Sequence, residues 1–557
     1  LVTDLANRKH GPATARRSKT DFTLISAASF PVYVDWFDRS PAADNLVYHQ
    51  SPPCRTANKN TASMGQFIFD VDQSQQHLLA SALWPSAYLS GIEGVPWHTS
   101  AKLDGGRLIV RRDIDESGKL FLPWPVEKYG ISSLGTCSLR PREEPYSLAL
   151  ELARGSLYSV RTQSDLWARS GLRLDDSFHT MVDQATAKFL DASGRAPGSA
   201  RDEDAIAAVG LLEHASHQLS DQYSSQAIAF RKQRESKLGT LVGATLPPAG
   251  GAPTHPTEFA AAFNTAAVRM SWGEIETDAG RFDFDGADEA IAWATSQGMR
   301  VIGGPLLDFQ DRMMPHWLYL IEDNFDALLD SVNHFAEQVI KRYKGRVQIW
   351  NCASGLNTPG PIRLTDEQVM RIAMTLVQTV RRQDPQTPVI LSFDQPQGEY
   401  LAHHRDGISP IHFADALARC GLGLAGLGLE LRVGYSGLGT IPRSTLAIGQ
   451  MLDRWATLGL PLMVQLAVPA DTQPDSLARR PCGIIPLGDD DSGDVQQMRV
   501  ASSIMRLALA KPFVHAVIWE GWDDTIPHVL PHAGLWESGG PRPLLQYFKR
   551  LRKELLS

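Results

Sequence analysis

Cysteine is scarce in this chain: five occur in 557 residues, Cys54, Cys137, Cys352, Cys420 and Cys482. The number is odd, the spacing is wide and no Cys-x-x-Cys occurs, which excludes a zinc knuckle and a disulfide framework. Reduced, mostly buried thiols are expected, Cys352 among them. Long apolar runs are also missing. No stretch approaches ~18 uninterrupted apolar residues, so no membrane-spanning helix and no membrane partner are expected. Residues 1–21 are polar, carry Arg16-Arg17 and lack an apolar core of signal-peptide length. As the sequence stands, a cytoplasmic protein is expected. Export stays open, because the first residue is Leu and the start is open to misassignment. Blocks of one charge are absent: 54 Lys and Arg against 62 Asp and Glu give −8, evenly spread. Nucleic acid, which needs a concentrated basic face, is not an expected partner. The histidines form no ligand grid: His403-His404 are adjacent, and His528 and His532 bracket a loop without acids at ligand spacing. No metal or other cofactor is expected. The Gly421–428 stretch precedes a strand instead of opening a helix, which excludes a phosphate-binding turn.

What is present is ordinary globular composition, 43% hydrophobic and 21% charged, in a chain long enough for two to four domains. Residues 1–62 are polar and small, with Pro52-Pro53, and read as a partly ordered leader. Residues 63–165 read as a β-sandwich. Short apolar runs at 66–71, 107–110, 119–122, 148–152 and 157–160 are punctuated by Gly105-Gly106, Gly118 and Pro141. Residues 166–237 change to helical spacing, with Leu211, Ala215, Leu219, Tyr223 and Ala227 on one face, and read as a pair of linker helices. From 238 to 557 eight strand-like runs alternate with helix-sized segments. The runs are 240–245, 267–272, 300–306, 347–351, 389–393, 424–431, 462–467 and 516–519. This alternation predicts a (β/α)8 barrel of the α/β class, whose chemistry sits at the C-terminal ends of its strands.

Those ends carry acids and aromatics. Asp394 and Glu430 fall on neighbouring strands five and six, and Glu520 lies across the mouth on strand eight. They are the candidates for a catalytic pair. Arg432 sits two residues from Glu430 on the same strand, so a local ion pair is the plain alternative. Trp272, Trp350, Trp519 and Trp522 all fall at strand ends and are expected to line a sugar-shaped cleft, with Glu274, Asn351, Asn357, Glu399 and Arg432 as polar partners. The β-rich region is expected to resemble a carbohydrate-binding module, with Trp97, Trp124 and Tyr129 as platform candidates.

Several motifs occur in order: Ser271-Trp272-Gly273-Glu274-Ile275-Glu276, Gly280-Arg281-Phe282-Asp283-Phe284, Gly298-Met299-Arg300-Val301-Ile302, Tyr343-Lys344-Gly345-Arg346-Val347-Gln348-Ile349-Trp350, and Trp519-Glu520-Gly521-Trp522-Asp523-Asp524. Together they resemble glycoside hydrolase family 10, the β-1,4-xylanases. The resemblance implies a barrel that binds a β-linked oligosaccharide or polysaccharide. It also implies retaining hydrolysis by two glutamates at the ends of strands four and seven. Matched residue by residue, those glutamates fall on Gly355 and Gln465. The family's third-strand His falls on Gly304, the Trp that follows it on Asp308, and the sixth-strand His on Arg432. Glycine has no proton to donate, and an amide cannot form the glycosyl ester of a retaining mechanism. Three readings follow: hydrolysis by relocated acids with Glu430 first, a non-catalytic carbohydrate binder, and a scaffold derived from a glycosidase. The sequence names no protein partner.

Overall fold

The computed structural model describes residues 65–73, 75–76, 86–247, 250–310, 312–405, 407–488 and 492–556, so the leader at 1–62 lies outside the described residues. Two four-stranded sheets open the described chain. One holds Gly65–Asp70, Ser100–Asp104, Arg107–Arg112 and Tyr146–Ser147; the other holds Tyr88–Ser90, Pro96–Trp97, Lys119–Val126 and Gly130–Gly135. The first strand alternates buried and half-buried positions, the mark of one face turned to a core. Phe67, Phe69, Leu108 and Val110 from one sheet meet Leu89, Leu120, Leu122 and Trp124 from the other. Gly105 and Gly106, with φ of 55° and 83°, make the two-residue turn between Ser100–Asp104 and Arg107–Arg112. Such turns match the twist of a hairpin only with positive φ at both positions.

The strands end earlier than the apolar runs suggest. Leu148–Arg169 is one α-helix, not two strands. Its buried residues Leu148, Leu152, Ala153, Leu157 and Val160 recur three and four apart, a stripe that a helix presents and a strand cannot. Ser147 caps it, accepting from the Leu150 amide at 3.4 Å. Asp176–Gly194 and Ser199–Arg234 follow, giving three helices where sequence suggested two. The last is 36 residues long, and its Ala205, Ala208 and Val209 complete the core under the sheets.

Eight parallel strands then close into a barrel. In chain order they are Leu241–Thr245, Thr265–Val268, Arg300–Gly303, Ile349–Asn351, Val389–Asp394, Gly426–Arg432, Leu462–Ala467 and Val514–Trp519, called strands one to eight below. Each lies within a few residues of its expected run. Helices including Asp285–Ser296, Phe325–Tyr343, Asp366–Gln383, Thr445–Ala456 and Gly493–Ala510 form the outer ring. Side chains alternate between ring and barrel interior. Ala267, Ile302, Ile390, Met463, Ala516 and Ile518 fill the lower interior. Leu391, Phe393, Leu427, Leu429, Val464, Val517 and Trp519 face the ring. The N-terminal sheets rest on the barrel's rim: Ser133 donates to the Pro442 carbonyl at 2.7 Å, Thr99 to that of Ala402 at 2.9 Å, and Arg443 to the Tyr88 hydroxyl at 2.8 Å.

Candidate functional site

The alternation that puts Ile390 and Met463 inside the barrel puts Asp394, Gln465, Glu430 and Arg432 one or two layers above them. Register pairs Asp394 with Glu430 and Glu430 with Gln465 across strands five, six and seven. Arg432 is the centre. Its Nη1 lies 3.1 Å from Asp394 Oδ2, its Nη2 2.6 Å from Glu430 Oε2 and its Nε 3.0 Å from Glu520 Oε2. Every residue of this set is 1–4% exposed. Gln465 donates to Glu520 Oε1 at 3.0 Å and accepts from the Ser392 hydroxyl at 3.0 Å. The Ser354 hydroxyl donates to Glu430 Oε1. Gln310 donates to Asp394 Oδ2 at 3.2 Å and accepts from Arg480. Arg269 pairs with Asp308 at 3.1 Å.

Four carboxylates here, Asp308, Asp394, Glu430 and Glu520, face three guanidiniums, Arg269, Arg432 and Arg480. An excess negative charge is costly away from water, so one proton is retained. Glu430 holds it. Burial pushes its carboxyl up to about 8; Arg432 opposes the rise, while Glu520, Asp394 and Asp308 add to it. Burial also raises Asp394. Glu520 goes the other way: burial opposes ionisation there too, but Arg432 and Arg269 outweigh it and hold the group low.

Opposite effects of amide substitution follow. Glu430→Gln changes stability at pH 7 by less than about 1 kcal/mol, because the group it replaces is already neutral and the amide satisfies both Arg432 and Ser354. Glu520→Gln costs roughly 3 kcal/mol, because it removes a charge that Arg432 uses. A group raised by folding contributes fully below its unfolded value, 4.5, and loses that contribution as pH climbs towards about 8. Wild type therefore loses stability relative to Glu430→Gln between pH 5 and 8. Glu520 contributes above 4.5 and loses its contribution as pH falls, so the cost of Glu520→Gln shrinks in acid. Denaturant unfolding at pH 5, 7 and 8 reads both; a Glu430→Gln difference that is flat with pH contradicts the assignment of the proton.

The remaining site residues scatter. Trp350 is fully buried, faces the helical ring and donates to Asp384 at 3.0 Å. Trp519 donates to the Ala533 carbonyl and packs on Phe548. Trp272 donates to Glu276 at 2.7 Å and stacks on Phe335. Trp522 donates to Thr254 and meets Phe259 edge-on. All four are 0–3% exposed, so none offers a face to a sugar, a correction to the aromatic cleft expected above. Strand alternation explains the first two: Trp350 is out of phase with Ile349 and Asn351, and Trp519 with Ile518 and Glu520. Glu274 pairs with Arg479, and Glu399 with Arg443 and the Ile441 amide. Asn357 grips strand five, donating to the Asp394 carbonyl at 2.8 Å and accepting from its amide at 3.0 Å. Asn351 is buried with its Oδ1 unmatched by any described hydrogen-bond partner. The platform candidates are occupied as well: Trp124 lies in the sandwich core, Trp97 lies under the Arg112 guanidinium at 3.4 Å, and Tyr129 stacks on His217 at 4.2 Å. Gln310, Arg480, Ser354 and Arg269 escaped sequence reading; they come from loops and strand ends without a recurring motif.

Loops close the mouth. Met313, Tyr435, Ala467, Val529, Leu530 and Ala533 form an apolar cluster, and Tyr435 donates to the Pro531 carbonyl at 3.0 Å. Beside Glu520 the space is about 30 Å³, with Arg269, Asp523 and His528 on its walls. That volume suits a water, not a sugar. Gly355 has φ of 74°, and a Cβ there would run into the Gln310 amide, with its Cδ at 2.9 Å. Gln310 therefore occupies the space a side chain at 355 would need. A second cavity of about 450 Å³ opens on the same face, bordered by Gln310, Thr358, Tyr400, His404, Arg479 and Arg480 among others. Burial, opposed by Arg381, pushes the fully buried Cys352 thiol up, the setting of a structural cysteine. Among the described residues no group of three or more His, Cys, Asp or Glu is placed to hold a metal ion, and no helix is long and apolar enough to cross a membrane.

A closed parallel barrel with its charged layer at the C-terminal strand ends is the architecture of the (β/α)8 enzymes and their relatives. Residues 231–359 match glycosyl hydrolase family 10. Endo-1,4-beta-xylanase 2 of Claviceps purpurea is 25% identical over 160 residues, 26% of this chain and 47% of that one. Endo-1,4-beta-xylanase B of Thermotoga neapolitana is 21% identical over 269 residues, 47% of this chain and 69% of that one. The crystal structure of native xylanase 10B from Thermotoga maritima overlaps 58% of this chain and 98% of its own, at 18% identity and a TM-score of 0.44. The chain is thus similar to the family 10 xylanases, as the ordered motifs imply. The family match includes Gly355 but stops before strands five to eight, where Asp394, Glu430, Gln465 and Glu520 lie.

Proposed function

We propose that this chain binds a β-linked, xylan-like glycan at the C-terminal face of its barrel and does not hydrolyse it. The observation that carries this reading is the burial of the acids around Arg432: one guanidinium lies within 2.6–3.1 Å of Asp394, Glu430 and Glu520, each at most 4% exposed. Acids held this way are sealed from a substrate and neutralised by a neighbour. Retaining hydrolysis needs two free carboxyl groups about 5–5.5 Å apart on either side of a bond. Gly355 and Gln465 supply neither. Two clefts on this face have the size of ordinary ligand sites, one of about 970 Å³ over the loops after strands seven and eight and one of about 450 Å³ beside Gln310 and Arg480, and the second adjoins the charged layer. The N-terminal sheets, carbohydrate-binding-module-like in this reading, act as a structural partner of the barrel, because their aromatics are spent on internal contacts.

A second reading has one observation in its favour. Glu430 is raised and Glu520 is held low, the split that a general acid and its partner show. Relocated hydrolysis then requires the loops over the mouth to open.

The test is a panel of β-1,4-linked glycans offered to the purified chain, with reducing-end release and thermal shift read together. The expected result is a thermal shift on a xylan-type glycan with no release. Release that disappears in Glu430→Gln establishes the second reading. Silence in both measurements removes the glycan.

A further inference from the structure

The charged side chains described on the wall of the 450 Å³ cleft are basic. Arg312, Arg479, Arg480 and His404 border it, and no Asp or Glu is among its described lining residues. Arg480 is the important one. It is 7% exposed, and its side chain has one described hydrogen-bond partner, the Gln310 amide oxygen. The guanidinium borders the cleft and has donors beyond that one described bond. Burial depresses the Arg480 guanidinium first, and the Arg432 charge adds to that; Asp394, Asp308 and Glu430 compensate only in part. A largely buried guanidinium with donors to spare at the wall of an open cleft presents a planar fork that fits a planar anion. Arg479 lies beside it, half-exposed, paired with Glu274 at the cleft's edge, and its carbonyl accepts from Arg312 at 3.1 Å.

Resting on the glycan-binding reading, we infer that the cleft recognises an anionic group on the glycan, a uronic acid carboxylate or a sulfate ester, through Arg480 with Arg479 at its side. A planar carboxylate suits the fork of a guanidinium, which donates two parallel bonds. Gln395, whose side chain has no described hydrogen-bond partner, is left for a sugar hydroxyl.

Three oligosaccharides separate the outcomes: a glucuronic-acid-bearing xylo-oligosaccharide, the same compound after reduction of its carboxyl to an alcohol, and a xylo-oligosaccharide sulfate ester. Calorimetric titration of the full chain is expected to give at least roughly tenfold tighter binding of the acid than of its reduced form at low salt, narrowing as salt rises. Arg480→Gln removes most of that gain, read as a collapse of the ratio of acid to reduced-form affinity. Arg479→Gln, at a more exposed position, removes part of it and serves if Arg480→Gln disturbs Gln310. An equal gain with the sulfate ester supports the anionic site and widens its ligand to both groups. Equal affinity for acid and reduced forms overturns the anionic site and leaves glycan binding standing. Failure of all three to bind takes the glycan-binding reading with it.

Discussion

Replacing Arg432 with Met is expected to destabilise the barrel by about 3–5 kcal/mol at pH 7, or to prevent its folding. Removing one partner of a buried ion pair leaves the other charge uncompensated, and that is what such losses amount to. Here one side chain serves two carboxylates and the protonated carboxyl of Glu430, each at most a few per cent exposed, so the loss is at the upper end. Relief by acid distinguishes this cause from poor packing. Without Arg432, Asp394 and Glu520 rise in the folded state. They then oppose folding above their unfolded values, and the penalty vanishes as pH falls below them. The variant therefore approaches wild type near pH 4. A packing defect does not depend on pH in this way. Denaturant midpoints across pH 4–8 decide it, and a cost under about 1 kcal/mol at pH 7 contradicts the central role given to Arg432.

Restoring the two glutamates that the family 10 resemblance implies is expected to fail. Gly355→Glu must hold an L side chain at φ of 74°, at a cost of roughly 1–2 kcal/mol, and must displace Gln310 from Asp394 and Arg480. Gln465→Glu replaces an amide donor, 3.0 Å from Glu520, with a second carboxylate. Two carboxylates at that distance cannot both ionise. The pair shares a proton, and its folded value rises, so the variant loses stability as pH increases. The double variant is expected to release no reducing ends from xylan above the wild-type background, and to unfold at a lower temperature at pH 8 than at pH 5. Hydrolysis regained by these two changes alone contradicts the proposal that the mouth has been rebuilt around Arg432.

The barrel was legible because its signal is repeated eight times. The charged layer was partly legible, because Asp394, Glu430 and Arg432 share the phase of the inward positions on strands five and six. That phase also contains the correction to the tryptophans. Strand eight reads Ala516, Ile518, Glu520 inward and Val517, Trp519 outward, and strand four places Trp350 opposite in phase to Asn351. A residue at a strand end is at the mouth only if its parity is right. Trp272 and Trp522 had no such clue, since each lies beyond its strand. The helix Leu148–Arg169 was missed because Leu148 to Leu152 also reads as alternating, and only the longer stripe to Val160 resolves it. Gln310 and Arg480 were out of reach: they meet across 170 residues of sequence, from loops whose course depends on tertiary packing.

The most direct measurement is calorimetric titration of xylohexaose into the full chain, with the recovered sugar weighed by mass spectrometry after prolonged incubation. The result expected is a saturating binding isotherm and intact hexaose. Xylobiose or xylotriose in the recovered sample contradicts a barrel whose acids are sealed on Arg432.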